Sequence, residues 1–530
     1  MKNIRLIFMI SLLASFLVGC EKDYNNWDVE PGGNRLFKPI VLEVSGIEPT
    51  AVELKFTKGI SATKYIFEFS KDSLQFNEIV KTVEVLADTL TPFAESTNQV
   101  KEEYRETFSE LDGTTGYSVR MKSVNEDTDM QSNYNQVYFQ TPAEQIFTSY
   151  TPTTYSVALT WVVTPRVTNI SLYNETMELL EDFSLTDEQK SLGELTIEGL
   201  EKGTNYIVKI FNGDNNRGTL GVLTTGIPDS YVYNALPTDN ASSIAQALKD
   251  IVTGGTTDIT VEFESGQDYS IGGDLRIPNG INNIAFVGSA DSTGKLSTLD
   301  NARFRFEGQI NNLTIQYLST TSSGSFFVET GGHTINDITI VGCNVSDINS
   351  IVRVNGDSVV NDINVSNCWI SQTGGWGMLN VGSGNTVNSI NVSNCTLTEI
   401  STRFADIRIS TQINFNNITC VNINLSMGHI WRFDNNHPVQ VSIQDCIITG
   451  PNGGAEINDT NGDYSNIAIS YTGSYKTNDL MIKDRPLNGI TEIPLDIYGL
   501  FVDPDNGDFH IQEGIGFAGT GVAGDTRWFD

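Results

Sequence analysis

A chain of 530 residues exceeds what one compact core holds, so several domains are expected. Lysines and arginines number 32 against 65 aspartates and glutamates, a formal net charge of -33, which excludes a nucleic-acid partner because little basic surface is left to neutralise phosphates. Most of the acid precedes residue 240, whereas Ile310 to Gly450 hold no lysine, nine acidic residues and four arginines among Asn, Ser, Thr and Gly.

Residues 1–20 read as a targeting segment. Lys2 and Arg5 precede an apolar run from Leu6 to Val18, too short for a spanning helix. The run ends Leu17-Val18-Gly19-Cys20, which resembles a bacterial lipoprotein signal. The resemblance implies cleavage before Cys20, acylation of its thiol and durable membrane attachment. Glu21-Lys22-Asp23 resemble the export signal of Bacteroides-type surface lipoproteins, which implies an outer-membrane, lipid-anchored, surface-exposed protein. Residues 21–37, with Pro31-Gly-Gly-Asn34, read as a tether.

Two β-domains are expected next, at 38–142 and 145–226. Val52, Leu54 and Phe56 alternate with polar residues, as do Tyr65, Phe67 and Phe69, and later Val157, Leu159 and Trp161. Each domain carries the same phrase, Leu111-x-x-x-Thr115-x-Tyr117 and Leu200-x-x-x-Thr204-x-Tyr206. The phrase resembles the tyrosine corner of immunoglobulin and fibronectin type III-like sandwiches, and Trp161 stands where that family places a core tryptophan. Neither domain clusters aromatic or ligating residues, so both read as spacers rather than binding modules.

Residues 227–240 read as a linker. Ile244, Ala247, Leu248 and Ile251 then form one helical face behind Asn240 as N-cap, suited to covering the open end of a solenoid. The solenoid itself is announced by repetition. Ile335-Asn-Asp-Ile-Thr-Ile-Val-Gly-Cys343, Val360-Asn-Asp-Ile-Asn-Val-Ser-Asn-Cys368 and Val387-Asn-Ser-Ile-Asn-Val-Ser-Asn-Cys395 are near copies. Weaker copies end at Cys420 and Cys446, and a degenerate one at Tyr317; successive cysteines lie 25, 27, 25 and 26 residues apart. A fixed period with two-residue alternation of β-branched residues predicts a coil of short parallel strands. The five cysteines are expected as a buried interior ladder, a disulfide between adjacent rungs being the alternative, with Asn367 and Asn394 stacked at turns. This stretch resembles the right-handed parallel β-helix of the pectate-lyase-like superfamily across 240–530, a likeness informative for fold and not for activity.

No cofactor is expected. Asp503-Pro-Asp-Asn-Gly-Asp508-Phe-His510 leaves calcium open as a minor alternative, although its spacing is not that of an EF-hand loop. The Gly-rich Gly519 to Trp528 is expected to fold back and close the last coil. Aligning the coils on their Val/Ile starts places Arg353, Asn380 and Arg432 seven residues ahead of Val360, Val387 and Val439, and Arg408 five ahead of Ile413. Apolar residues flank each on both sides, so Arg353, Asn380, Arg408 and Arg432 are expected in one outward column, one strand spacing apart. Trp376 lies on a turn beside it, His429 and His437 nearby, and Asp406 is a further candidate ligand contact. Stacked guanidinium forks suit carboxylates and sulfates; the competing reading pairs them with Asp357, Asp362, Asp406 and Asp434.

The pectate lyase phrase Arg-x-x-Pro-x-x-Arg is missing, Arg403-x-x-Asp-x-Arg408 being the nearest, and so are the aspartate and Gly-His-Gly phrases of β-helix polygalacturonases. No catalytic residue is therefore assigned. The whole resembles the auxiliary glycan-binding lipoproteins of Bacteroides-type polysaccharide-utilisation systems, which implies a polysaccharide ligand and an outer-membrane glycan importer as partner. A β-helix lyase or hydrolase with a divergent site, using for example Asp406 and Asp434, and a structural or adhesive surface protein are the alternatives.

Overall fold

The computed structural model describes residues 35–93, 102–164, 166–423, 428–434, 439–450, 456–461, 467–483 and 486–529. The lipobox with Cys20, most of the tether and His437 lie outside the described residues. The chain is all-β: two sandwiches followed by a parallel β-helix.

In the first sandwich Leu42–Glu48, Ala51–Thr57 and Glu103–Phe108 form one antiparallel sheet. Lys64–Ser70, Lys81–Leu86, Gly116–Asn125 and Asn135–Gln140 form the other. The alternation read from sequence becomes the core, with Phe56, Tyr65, Phe67 and Phe69 fully buried. The second sandwich repeats the strand order, Phe147–Pro152, Ser156–Trp161 and Glu194–Glu198 in one sheet, Asn169–Asn174, Leu179–Ser184, Asn205–Asn212 and Asn215–Leu223 in the other. Trp161 is buried in it. The tyrosine corners are formed: the Tyr117 hydroxyl accepts from the Asp112 amide at 3.0 Å, and that of Tyr206 from the Glu201 amide at 2.9 Å.

Residues 227–240 are not a free linker. Tyr231–Asn234 pairs in parallel with Asp258–Glu262 and is the first strand of the solenoid. Thr154 donates to Glu262 at 2.8 Å and the Gly226 amide to Gln316 at 2.8 Å, so the second sandwich is pinned to the first coils. The helix Ala241–Thr253 follows, its Asn240 side chain accepting from the amides of Ser242 and Ser243. Ile244 and Leu248 are buried in the solenoid core.

Each coil contributes to three parallel sheets. The first stacks Ile310–Gln316, Thr334–Val341, Val359–Ser366, the start of Thr386–Thr398, Thr411–Val421, Val439–Gln444 and Ile467–Thr472. It ends at a corner where Tyr317, Gly342, Asn367, Asn394, Asn417, Asp445 and Gly473 all have φ between 48° and 65°. Gly, Asn and Asp recur there because they bear left-handed backbone with least strain. The next rung points inward: Leu318, Cys343, Cys368, Cys395, Ile418 and Cys446. The cysteine ladder is thus corrected in one coil. Ile418 occupies the rung, and Cys420 pairs with Leu397 two residues further on. Tyr317 likewise matches the corner glycine Gly342, and Leu318 stands at the cysteine rung. All five thiols are buried and free, and burial pushes the Cys420 thiol well up and that of Cys446 to about 12.

The C-terminal segment does not close the last coil. It runs back across the outside of the second sheet, over Trp369, Val421 and Ile447. Phe501, Phe509, Phe517 and Trp528 build a second apolar core there. Asp525 accepts from Thr396 at 2.8 Å, and its amide donates to Thr419 at 2.8 Å. The second sheet is therefore covered over those coils, and the third sheet carries the candidate site.

Two substitutions test this frame by chemical denaturation of the full chain. Asn367→Gly is expected to unfold like wild type, whereas Asn367→Val should lose about 1–2 kcal/mol from forcing a β-branched residue into left-handed backbone. Leu248→Ala, which opens the cap, should cost about 2–5 kcal/mol.

Candidate functional site

The third sheet is built from short strands whose registers fix its outward column. Arg276 pairs with Arg305, Arg305 with Glu329, Glu329 with Arg353, Arg353 with Asn380, Asn380 with Asp406, and Asp406 with Arg432. Inward neighbours Val352 and Val354, Leu379 and Val381, Ala405 and Ile407, Trp431 and Phe433 fill the core. Arg353, Asn380 and Arg432 thus share the column expected of them. Arg408 does not: Asp406 holds its rung, and Arg408 lies two residues along the chain. The cause is a shortened corner. Ile390 follows Val381 by nine positions, but Ile413, the partner of Ile390, follows Ile407, the partner of Val381, by only six.

Asp406 is 1% exposed and receives three guanidinium groups. Arg403 reaches its Oδ2 at 3.1 Å through Nη1, and Arg432 reaches the same oxygen at 3.1 Å. Arg408 forks over both oxygens, Nε to Oδ1 at 3.1 Å and Nη2 to Oδ2 at 3.3 Å. Burial lowers the pKa of Arg403 from its ordinary value, Asp406 opposing and the neighbouring Arg432 and Arg408 adding to the effect. The hydrogen bond to Asp406 raises that of Arg408, and Asp434 acts on it in the same sense. Asp357 and Asp362 are not partners of this column; Asp362 instead accepts from Ser389 on the first sheet at 2.5 Å. His429 is buried rather than presented on the face.

The upper end of the column differs. Glu329 is buried, forms an ion pair with Arg305, and accepts from Asn355 at 2.9 Å. Arg353 lies 3.8 Å from it, beyond hydrogen-bond reach. Its guanidinium carbon instead sits 4.5 Å from the ring centre of Phe326 and 5.1 Å from that of Trp376. Trp376 is 39% exposed. Thr373-Gly-Gly-Trp-Gly377 carries it there because Gly377 has φ of 83° and lies against Arg403, where a Cβ would come within 2.8 Å of that side chain and its carbonyl.

Phe326, Glu329 and Arg403 had no site role in the sequence pattern. Arg403 and Asp406 were visible as a local pair; Phe326 sits beyond a register shift in its coil, which hides it from any fixed period. Among the described residues no three His, Cys, Asp or Glu side chains come together to hold a metal. At Asp503–His510, Asp508 is engaged by His510 at 2.5 Å, which holds its carboxyl below the usual range. No described helix is long and apolar enough to cross a membrane.

The sequence matches no protein-family model and no curated protein. Among solved structures it is similar to a two-domain fibronectin type III segment of chicken tenascin, at 16% identity and a TM-score of 0.23, over 35% of this chain and 98% of that one. It is also similar to a fibronectin type III domain of human collagen alpha-1(XX), at 19% identity and a TM-score of 0.16, over 22% of this chain and 98% of that one. At these scores the likeness carries no argument; the sandwich assignment rests on strand order and the two tyrosine corners.

Asp406→Asn should unfold the chain about 3–5 kcal/mol more easily, because the buried Arg403 loses its counter-charge. Asp347→Asn, at an exposed corner, should stay within about 0.5 kcal/mol. Denaturation midpoints of the two variants check both.

Proposed function

We propose that this chain is a lipid-anchored cell-surface protein that binds a polysaccharide along the third sheet of its β-helix, the sandwiches serving as spacers. The architecture of tandem sandwiches and a β-helix fits a surface or adhesive protein. The lipobox at Cys20 adds the anchor. The resemblance to pectate-lyase-like β-helices and to Bacteroides-type glycan-utilisation lipoproteins adds the ligand class, and with it an outer-membrane importer as partner.

The observation that carries the reading is the face itself. An exposed tryptophan stands beside Arg353 on the third sheet, and Arg403, Arg408 and Arg432 share the one carboxylate of Asp406 further along it. Rings and guanidinium groups suit the faces and acidic substituents of sugars. Binding is favoured over catalysis because Asp406 is 1% exposed and engaged by three guanidinium groups, which disfavours it as a general base or as half of a carboxylate pair.

The test is a panel of polyuronates, sulfated glycans and neutral glycans, read on one sample by retardation in affinity gels and by absorbance of unsaturated products with and without calcium. Retardation without product is the expected result. New absorbance would make the protein a lyase. Silence across the panel would leave an adhesive role. Independently, Cys20→Ala expressed in a Gram-negative host should abolish labelling by a palmitate analogue and release the protein from the membrane fraction; unchanged fractionation would remove the anchor.

A further inference from the structure

Resting on that polysaccharide reading, we propose that Arg353, packed against Phe326 and Trp376, is the specificity-determining seat for a carboxylate or sulfate substituent of the ligand. The four arginines between residues 310 and 450 divide into two kinds. Arg403, Arg408 and Arg432 direct donors at Asp406. Arg353 makes no side-chain hydrogen bond to any described residue, and its Nε is buried without a partner. Its nearest carboxylate, Glu329, is already occupied by Arg305 and Asn355.

The rings restrain the guanidinium group, and its terminal Nη edge, unlike the buried Nε, is the part left to meet an anion. Such an edge matches a planar carboxylate or two sulfate oxygens bidentately. The rings also remove part of the water that would otherwise screen the charge, which strengthens its attraction for an anion. Asn380 supplies a second observation. It occupies the next rung, is 4% exposed, and its amide likewise makes no hydrogen bond to any described side chain or backbone group. A half-buried guanidinium group beside a rung amide that no described residue occupies offers an anion and its adjoining hydroxyls partners on two successive rungs. Arg432, 41% exposed and with one nitrogen on Asp406, lies three rungs away, about 14 Å at the usual strand spacing. The column therefore offers two cationic loci separated by a neutral amide and a saturated carboxylate. That arrangement suits an extended acidic chain better than a lone small anion.

The experiment compares wild type, Arg353→Ala, Arg353→Lys and Trp376→Ala on a polyuronate, the same polymer with its carboxylates methyl-esterified, a sulfated glycan, and its desulfated form. The seat predicts retardation that falls about tenfold or more in Arg353→Ala, the worth of a charge-assisted hydrogen bond. Arg353→Lys should recover only part, since an ammonium group neither forks nor stacks flat. Trp376→Ala should weaken the same ligands. Loss on esterification assigns a carboxylate; loss on desulfation assigns a sulfate. Acidic-glycan binding that ignores Arg353→Ala overturns the seat and leaves the polysaccharide reading standing, as does equal binding of charged and neutralised polymers. Binding to none of the four polymers, with neutral glycans also silent, overturns that reading and the seat with it. Arg353→Lys keeps the test open should the alanine variant unfold.

Discussion

In a parallel coil every residue meets its own equivalents one strand spacing above and below, about 4.8 Å away. That stacking constrains the β-helix more than any single contact. Inside, it lets one apolar or thiol side chain repeat from coil to coil. At the corner it demands the same left-handed backbone each time, which Gly, Asn and Asp meet at Gly342, Asn367, Asn394 and Asp445. Outside, it makes stacks of like charge costly unless neighbours compensate them. Two guanidinium groups at this spacing repel by about 3 kcal/mol at an effective dielectric of about 20. The column accordingly runs Arg305, Glu329, Arg353, Asn380, Asp406, Arg432. Where Arg276 and Arg305 do stack, Asp274 is paired with both.

The same constraint explains what could be read from the sequence. Period and alternation gave the solenoid, its inward faces, and the column shared by Arg353, Asn380 and Arg432. The paired Tyr117 and Tyr206 phrases gave the sandwiches, and the 244–248–251 spacing gave the cap. Errors arose where a coil changes length. The shortened corner before Ile413 shifts the cysteine rung to Ile418 and puts Asp406 where Arg408 was expected, because counting from an anchor cannot detect three residues lost between two strands. The tail was misjudged for another reason. Its apolar residues, Phe501 to Trp528, show that it must pack, but nothing local says that Thr396 and Thr419 on an outer face will receive it rather than the open end.

The cluster at Asp406 is not explained by stability alone. Burying a carboxylate and Arg403 carries a desolvation cost of several kcal/mol per ion, which apolar residues of similar size would avoid. What the cluster does provide is geometry: one buried anion orients Arg408 and Arg432 while leaving part of each exposed. Arg353 reaches the same end by a different route, through two rings and no carboxylate within hydrogen-bond reach. Two unrelated devices that immobilise partly exposed guanidinium groups on one face point to a common demand, rigid presentation of positive charge.

A positive face on a chain of net charge -33 is not a contradiction. At physiological ionic strength the screening length is about 8 Å, so an anion touching the column responds to the groups within two rungs and only weakly to more distant acid. Between Ile310 and Gly450 the arginines occur without a single lysine. A mobile lysine cloud would attract any polyanion loosely; fixed forks select by shape as well as sign. The sign of the whole chain then governs how the protein repels its own copies and other acidic surfaces. The few fixed arginines set the field within the column itself, and so the two charges act at separate ranges.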